Sequence, residues 1–335
     1  MKLAIIGSYG HVGTVLKGLE QLPDVHLAAA AKWGPDDPLG FMAGPAMADV
    51  AAYDDYAAML DEVRPDVAAV FTPFHRLAAG SIAAAQRGCH VFSEKPLATT
   101  LEDLARLRET VEKAGVKVAA CFTARGEPAF LTIRKAVLEG RIGEPIYAVA
   151  QKSYPFNVRD DFYKARETYG GTIPWIGIHA LDFIAYCTGQ DYRRVAAVAS
   201  NRAHPSHPGM EDQGGLLAEL SGGGAAVINF DYLRPWGEAP RPWGDDRLRI
   251  AGTEAVIETK DCASGVELTT GDATELLPLE PARNVFAGFA AWLAVKNTGC
   301  EQPVPPLVTT AESFRLTEVA LKARDAQDAG KFVEV

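Results

Sequence analysis

The stretch that decides the fold opens the chain: residues Lys2–Leu22 read KLAIIGSYGHVGTVLKGLEQL. LAIIG is an uninterrupted β-prone run, Gly7, Gly10 and Gly13 follow it, and VLKGLEQL has the spacing of a helix. This is strand, tight turn and helix in succession. The alternation then repeats. VHLAAAA, DVAAVFT, HVFSE and KVAACFT read as strands, and YDDYAAMLDEV, LAAGSIAAAQRG and LEDLARLRETVEKAG as helices between them. Gly88 closes the second of these helices, while the third has Thr100 as N-cap and Gly115 as its stop. Strands alternating with helices of this length imply parallel pairing through right-handed crossovers, and hence a doubly wound sheet.

Beyond Thr123 the rhythm changes. AFLTIRKAVLEG reads as a helix, and PIYAVAQKSY, RVAAVASN, GGLLAEL, AAVINFDYL, RLRIAG, AVIET and GVELTT read as longer strands joined by short turns such as SGGG and AGTE. That pattern predicts a large, mainly antiparallel open sheet. The helical segments WIGIHALDFIAYCTG and VFAGFAAWLAVKNTG are expected to cover one of its faces, and the apolar alternation of the other face suggests a homo-oligomer, a dimer or tetramer. The expectation is an α/β protein in two domains, residues 1–122 as a parallel doubly wound domain and 123–335 as an α+β domain.

The 335 residues carry 43 acidic and 33 basic side chains, a net charge of −10, which opposes binding to nucleic acid or to an anionic membrane. No apolar run approaches a membrane span or a secretory leader, so a cytoplasmic protein is expected. Five scattered cysteines (Cys89, Cys121, Cys187, Cys262, Cys300) form no CxxC, and His204 and His207 lie in HPSHP, so neither a disulfide framework nor a metal site is expected.

The turn Gly7, Ser8, Tyr9, Gly10, His11, Val12, Gly13 lies where a dinucleotide pyrophosphate can rest on a helix N-terminus, its glycines allowing close backbone approach. Its spacing is GxxGxxG rather than GxGxxG. At the end of the second strand, where an acid for the ribose hydroxyls would favour NAD, stand Ala31, Lys32 and Trp33, with Asp36 late. The missing acid and the nearby lysine lean towards NADP over NAD.

HVFSEKPLATTLEDLARL contains Glu94, Lys95 and Pro96 after a strand, TPFHR precedes it, CFTARGEPAF follows, and GGTIPWIGIHALD lies further on. In this order the motifs resemble those of the Gfo/Idh/MocA oxidoreductases, and the resemblance runs from Lys2 to the closing GKFVEV. It implies a Rossmann domain carrying NAD or NADP, and a second domain whose open sheet mediates oligomers. The implied activity is hydride transfer between nicotinamide and a sugar, cyclitol or related hydroxy or keto compound.

The resemblance implies Lys95 and His179 as catalytic residues, the lysine polarising a carbonyl or hydroxyl and the histidine acting as hydrogen-bond partner or proton acceptor. Glu94 is expected to hold either the nicotinamide side or the lysine, Pro96 to follow a cis bond, and Thr72, Pro73 and His75 to pass the cofactor. Arg125, Tyr154, Asn157, Trp175, His179 and Trp236 are the expected substrate contacts beside Lys95, while Asp182 reads as structural. Trp175 occupies the position where the family usually carries aspartate, and an indole accepts no proton. Two alternatives therefore remain: a redox-neutral sugar-modifying enzyme with tightly bound NAD, and a non-catalytic dinucleotide-binding sensor.

Overall fold

The computed structural model describes residues 1–235, 237, 242–296 and 305–335, and they form two compact units. The first comprises Met1–Thr123 with Asn284–Thr317. Its sheet has the order β3-β2-β1-β4-β5-β6, formed by β1 (Lys2–Ile6), β2 (His26–Ala31), β3 (Ala51–Tyr53), β4 (Val67–Val70), β5 (His90–Ser93) and β6 (Val118–Ala120). All the pairings are parallel. Helices α1 (Val12–Leu19), α2 (Tyr56–Val63), α3 (Phe74–Gln86) and α4 (Leu101–Ala114) make the crossovers. The inner strands are short, mainly apolar runs because they are buried on both sides; Leu3, Ala4, Ile5 and Ile6 of β1 have no exposed surface. Thr100 caps α4 by accepting from the Asp103 amide at 3.1 Å, and Gly115 ends the helix at φ 68°.

Two features of this unit depart from expectation. The strand β3 is only three residues long and was not foreseen. The helix Val285–Lys296, expected on the second sheet, belongs to this unit instead. Phe286 and Phe289 set their rings 5.2 and 6.0 Å from that of Phe92 in β5, and Asn284 donates to the Thr14 carbonyl at 2.9 Å. Apolar nearly all round, the segment suits any core that offers aromatic partners.

The second unit, Ala124–Arg283 with Glu318–Val335, is built on a nine-stranded sheet of order β14-β13-β12-β11-β7-β10-β9-β8-β15. Its strands are β7 (Pro145–Ser153), β8 (Tyr192–Ser200), β9 (Gln213–Leu220), β10 (Ala225–Asp231), β11 (Asp245–Gly252), β12 (Val256–Lys260), β13 (Gly265–Thr269), β14 (Thr274–Leu276) and β15 (Val333–Glu334). Only β7 and β10 pair in parallel. Helix α5 (Pro128–Leu138) and the helix Ile178–Thr188 pack on one face, where Ala148, Ala150, Leu216, Ile228, Phe230, Leu248 and Ile250 are buried. The opposite face carries exposed apolar side chains: Tyr147, Val198, Leu217 and Val227. Val227 is paired with Leu217 on one side and Val149 on the other, so the apolar row crosses strands.

Among the described residues no helix is long and apolar enough to cross a membrane. Cys89, Cys121, Cys187 and Cys262 are all free thiols.

Candidate active site

In the first unit the glycine turn is held from three directions. The Gly7 amide donates to the Ala31 carbonyl and the Tyr9 amide to the Phe71 carbonyl, both at 2.8 Å, tying the turn to the ends of β2 and β4. The Ser8 hydroxyl donates to Asp37 at 2.6 Å. The third tether is Glu94, fully buried at the end of β5: its Oε2 accepts from the His11 amide at 2.7 Å and lies 2.8 Å from His11 Nδ1. Its Oε1 accepts from the Lys95 amide at 2.9 Å. One carboxylate therefore bonds both the turn, through His11, and the backbone amide of Lys95.

The glycines are required by this packing. A Cβ at Gly7 would lie 2.3 Å from the Phe71 carbonyl oxygen, and one at Gly10 would lie 2.2 Å from Glu94 Oε2. Both have positive φ, 80° and 71°. At Gly13, on the first turn of α1, a Cβ position has no heavy atom within 4 Å, so the backbone there is open to a phosphate. A tethered turn, an open helix N-terminus and free backbone approach fit a dinucleotide pyrophosphate.

Lys95 is completely buried and precedes Pro96 through a cis peptide bond. Although burial alone would raise it, Glu94 stays below the ordinary carboxylic acid range because His11 and Lys95 stabilise its charge. Cys121, whose amide donates to the Ser93 carbonyl, is pushed well up by burial and by Glu94, which keeps it a thiol. Thr72 is 1% exposed and donates to the Pro73 carbonyl at 3.2 Å, and Pro73 is the N-cap of α3, whose first turn holds His75 half-buried.

At the adenosine end, Lys32 follows β2 and pairs with Asp54 at 2.7 Å. The Arg76 guanidinium lies 5.5 Å from the Trp33 ring centroid. The buried acid of this loop is Asp37, which sequence reasoning passed over in favour of Asp36. It accepts from Ser8, from the Trp33 amide at 3.2 Å and from the Leu39 amide at 3.0 Å, so it braces the loop from within.

In the second unit, GGTIPWIGIHALD folds as a π-helical turn, Ile173–Gly177, running into the helix Ile178–Thr188. Trp175 is 6% and His179 3% exposed. The His179 ring is 6.5 Å from that of Phe183, one turn on, and Phe183 stacks on Phe130 at 4.2 Å. Asp182, three residues after His179 on the same helix, has an ionic partner. Its Oδ1 accepts from Arg125 Nε at 2.8 Å, and the guanidinium lies 4.9 Å from the Tyr186 ring. Arg125, named from the sequence as a substrate contact, is thus engaged in a fully buried ion pair with Asp182.

Charged groups that the sequence reading missed stand on the helix-covered face of this sheet. Lys152 Nζ is 2.5 Å from Asp246 Oδ2, across the β7–β11 pairing, and 5.7 Å from the Phe183 ring. Their signal was present: Lys152 shares the strand phase of the buried Ala148 and Ala150, and Asp246 that of Leu248 and Ile250. Tyr154, next in the same phase as Lys152, is 8% exposed and stacks with Trp243 at 6.5 Å. Asn157 is exposed with φ 51°, and Trp236 lies outside the described residues.

The comparisons agree with this architecture. Residues 1–122 match the oxidoreductase family with an NAD-binding Rossmann fold, and residues 130–258 match the GFO/IDH/MocA C-terminal domain. A 1,5-anhydro-D-fructose reductase of Ensifer adhaerens is 30% identical over 68% of this chain and 69% of its own length. The scyllo-inositol 2-dehydrogenase (NAD(+)) of Bacillus subtilis is 27% identical over 61% of this chain and 58% of its own. A solved Thermotoga maritima structure, designated an oxidoreductase, is 36% identical with a TM-score of 0.91 and full coverage of both chains. With both of its domains matched in order and its relatives named dehydrogenases and reductases, the chain belongs to the Gfo/Idh/MocA family of NAD-binding oxidoreductases.

Proposed function

We propose that the protein is an NAD(P)-dependent dehydrogenase or reductase acting on a sugar, a cyclitol or a related hydroxy or keto compound, with NADP preferred. The observation that carries the reading is the Glu94 tether: one buried carboxylate binds the dinucleotide turn through His11 and the lysine through its amide. The relatives named inositol dehydrogenase and anhydrofructose reductase support the substrate class.

When bound, the nicotinamide supplies or accepts the hydride. Lys95 polarises the reacting oxygen with its ammonium, and its buried stem fixes where that charge stands. His179 exchanges the hydroxyl proton, and Trp175 offers an apolar face to the C–H side of a sugar. The preference for NADP rests on Lys32 and on Arg76 stacked over Trp33, cations suited to a 2′-phosphate. Asp37, with its bonds to Ser8, Trp33 and Leu39, is occupied within the loop. The apolar row Val149–Val227–Leu217 is proposed as a homo-oligomer contact.

The test is a fluorescence titration of the cofactor-stripped protein with NADPH and NADH, followed by turnover on sugars, cyclitols and their ketones. Tighter NADPH binding and turnover that Lys95→Ala lowers at least about a hundredfold are expected. Nucleotide binding without any turnover would favour the sensor, and nucleotide retained through purification without net reduction would favour the redox-neutral enzyme.

A further inference from the structure

The segment leaving β7 holds a guanidinium surrounded by rings, to which no described residue supplies an acid. The Arg159 Cζ lies 4.8 Å from the ring centroid of Tyr232, 5.5 Å from Tyr163, 5.8 Å from Tyr154 and 6.0 Å from Phe156. Its Nη2 donates to the Pro155 carbonyl at 3.2 Å, while its Nε is buried with no hydrogen-bond partner. No described carboxylate pairs with it. Other cations of this unit have acids, Arg125 with Asp182, Arg166 with Glu211, and Lys152, on the same Tyr154 ring at 5.6 Å, with Asp246, whereas Arg134, against the Tyr186 ring, is held by the Tyr186 carbonyl.

Ring faces stabilise a guanidinium but leave its charge uncompensated, and a partly desolvated cation without a counter-ion is costly. The surrounding phenols do not supply one either. Burial pushes Tyr154 and Tyr232 up, so both remain neutral. A guanidinium walled by aromatic rings, paired with no described carboxylate and sharing the Tyr154 ring with Lys152, has the composition of a site for an anionic ligand.

We infer that Arg159 binds an anionic group of the substrate, so that the substrate is an acidic sugar bearing a carboxylate or a phosphate. This rests on the dehydrogenase reading for the word substrate, but binding alone tests it. The full-length protein, saturated with NADP+, is titrated calorimetrically with D-glucuronate, D-galacturonate and D-gluconate, and with D-glucose, D-galactose and D-glucitol as their neutral counterparts. D-Glucose 6-phosphate forms a separate arm.

The expected result is at least one anionic sugar bound about tenfold or more tightly than its neutral counterpart. Arg159→Met should erase that preference and Arg159→Lys should keep part of it, with NADP+ affinity unchanged in both as evidence of folding. Whether the acids or the phosphate show the preference decides which anion the site takes. Equal binding of charged and neutral sugars, no binding of any anionic sugar, or a preference that survives Arg159→Met would each overturn the inference. A failure of the dehydrogenase reading shows elsewhere, as absence of nicotinamide absorbance change with every sugar that binds.

Discussion

Replacing Glu94 by alanine tests the central structural claim, that one carboxylate organises the nucleotide turn. The wild-type side chain makes bonds of 2.7 and 2.8 Å to His11 and 2.9 Å to the Lys95 amide. Hydrogen bonds to a charged group contribute about 1.5–3 kcal/mol each, and the two to His11 bear directly on the turn. Water entering the vacated space returns part of the sum, leaving about 1.5–3 kcal/mol of lost order in the turn. Nucleotide binding must restore that order, so the Kd for NADPH should rise by about tenfold to a hundredfold.

The pH dependence has a definite sign. The Glu94 carboxyl is depressed below its ordinary value of 4.5, so its contribution to folding is complete above that pH and fades as pH falls below it. The gap in thermal stability between the wild-type and Glu94→Ala proteins should therefore be constant at neutral pH and narrow under acid conditions. Glu94→Gln, which keeps the shape but cannot accept from all three donors at once, should fall between the two. A Kd for Glu94→Ala within about twofold of wild type would show that the turn is ordered without Glu94, and the argument would fail.

Three further outcomes follow from the same geometry. Asp182→Asn leaves the fully buried Arg125 cation without its carboxylate and should cost about 3–5 kcal/mol by denaturant unfolding, with the Arg125→Met, Asp182→Leu pair recovering much of the loss; an unchanged unfolding midpoint would refute the pairing. Lys32→Ala should lower the ratio of NADPH to NADH affinity by about fivefold, and an unaltered ratio would remove Lys32 from the cofactor argument. Leu217→Lys with Val227→Lys places charges on the exposed apolar row of the second sheet, so sedimentation should show smaller particles than wild type; if both proteins sediment alike, that row is no subunit contact.

Most of the framework was legible because each element carries its own period. The glycine turn, the parallel strands and the inward phase of β7 to β13 are local patterns, and seven strands of the second sheet lie where alternation placed them. What escaped was decided by distant partners. The helix Val285–Lys296 is apolar on every side, so its sequence could not say which core receives it; the contacts of Phe286 and Phe289 with Phe92 decide that. Asp36 and Asp37 are adjacent, and only the Ser8 hydroxyl and the Trp33 and Leu39 amides distinguish the bracing acid from its exposed neighbour. The three-residue β3 is too short for a period to show, and the π-helical turn at Trp175 has the same residue types as an α-helix.

Trp175 is best understood from what surrounds it. The helix that carries His179 has one acid, Asp182, and that acid is consumed by Arg125. Trp175, in the turn before it, is itself nearly buried. The helix therefore offers a histidine and an indole, with no carboxylate of its own free to share a proton. Across Phe183, the neighbouring charges are Lys152 and Asp246, already matched to each other, and against the Tyr154 ring lies Arg159, paired with no described carboxylate. The family resemblance puts an acid where this chain has Trp175; an indole there, and a cation with no described acid on the sheet side, both leave the local charge more positive. A site so altered is poorly suited to a substrate recognised only through neutral hydroxyls that need carboxylate acceptors, and better suited to one that brings its own negative charge. On the proposed reading the tryptophan goes with a substrate that carries its own charge, while Glu94 bonds the turn and the Lys95 backbone.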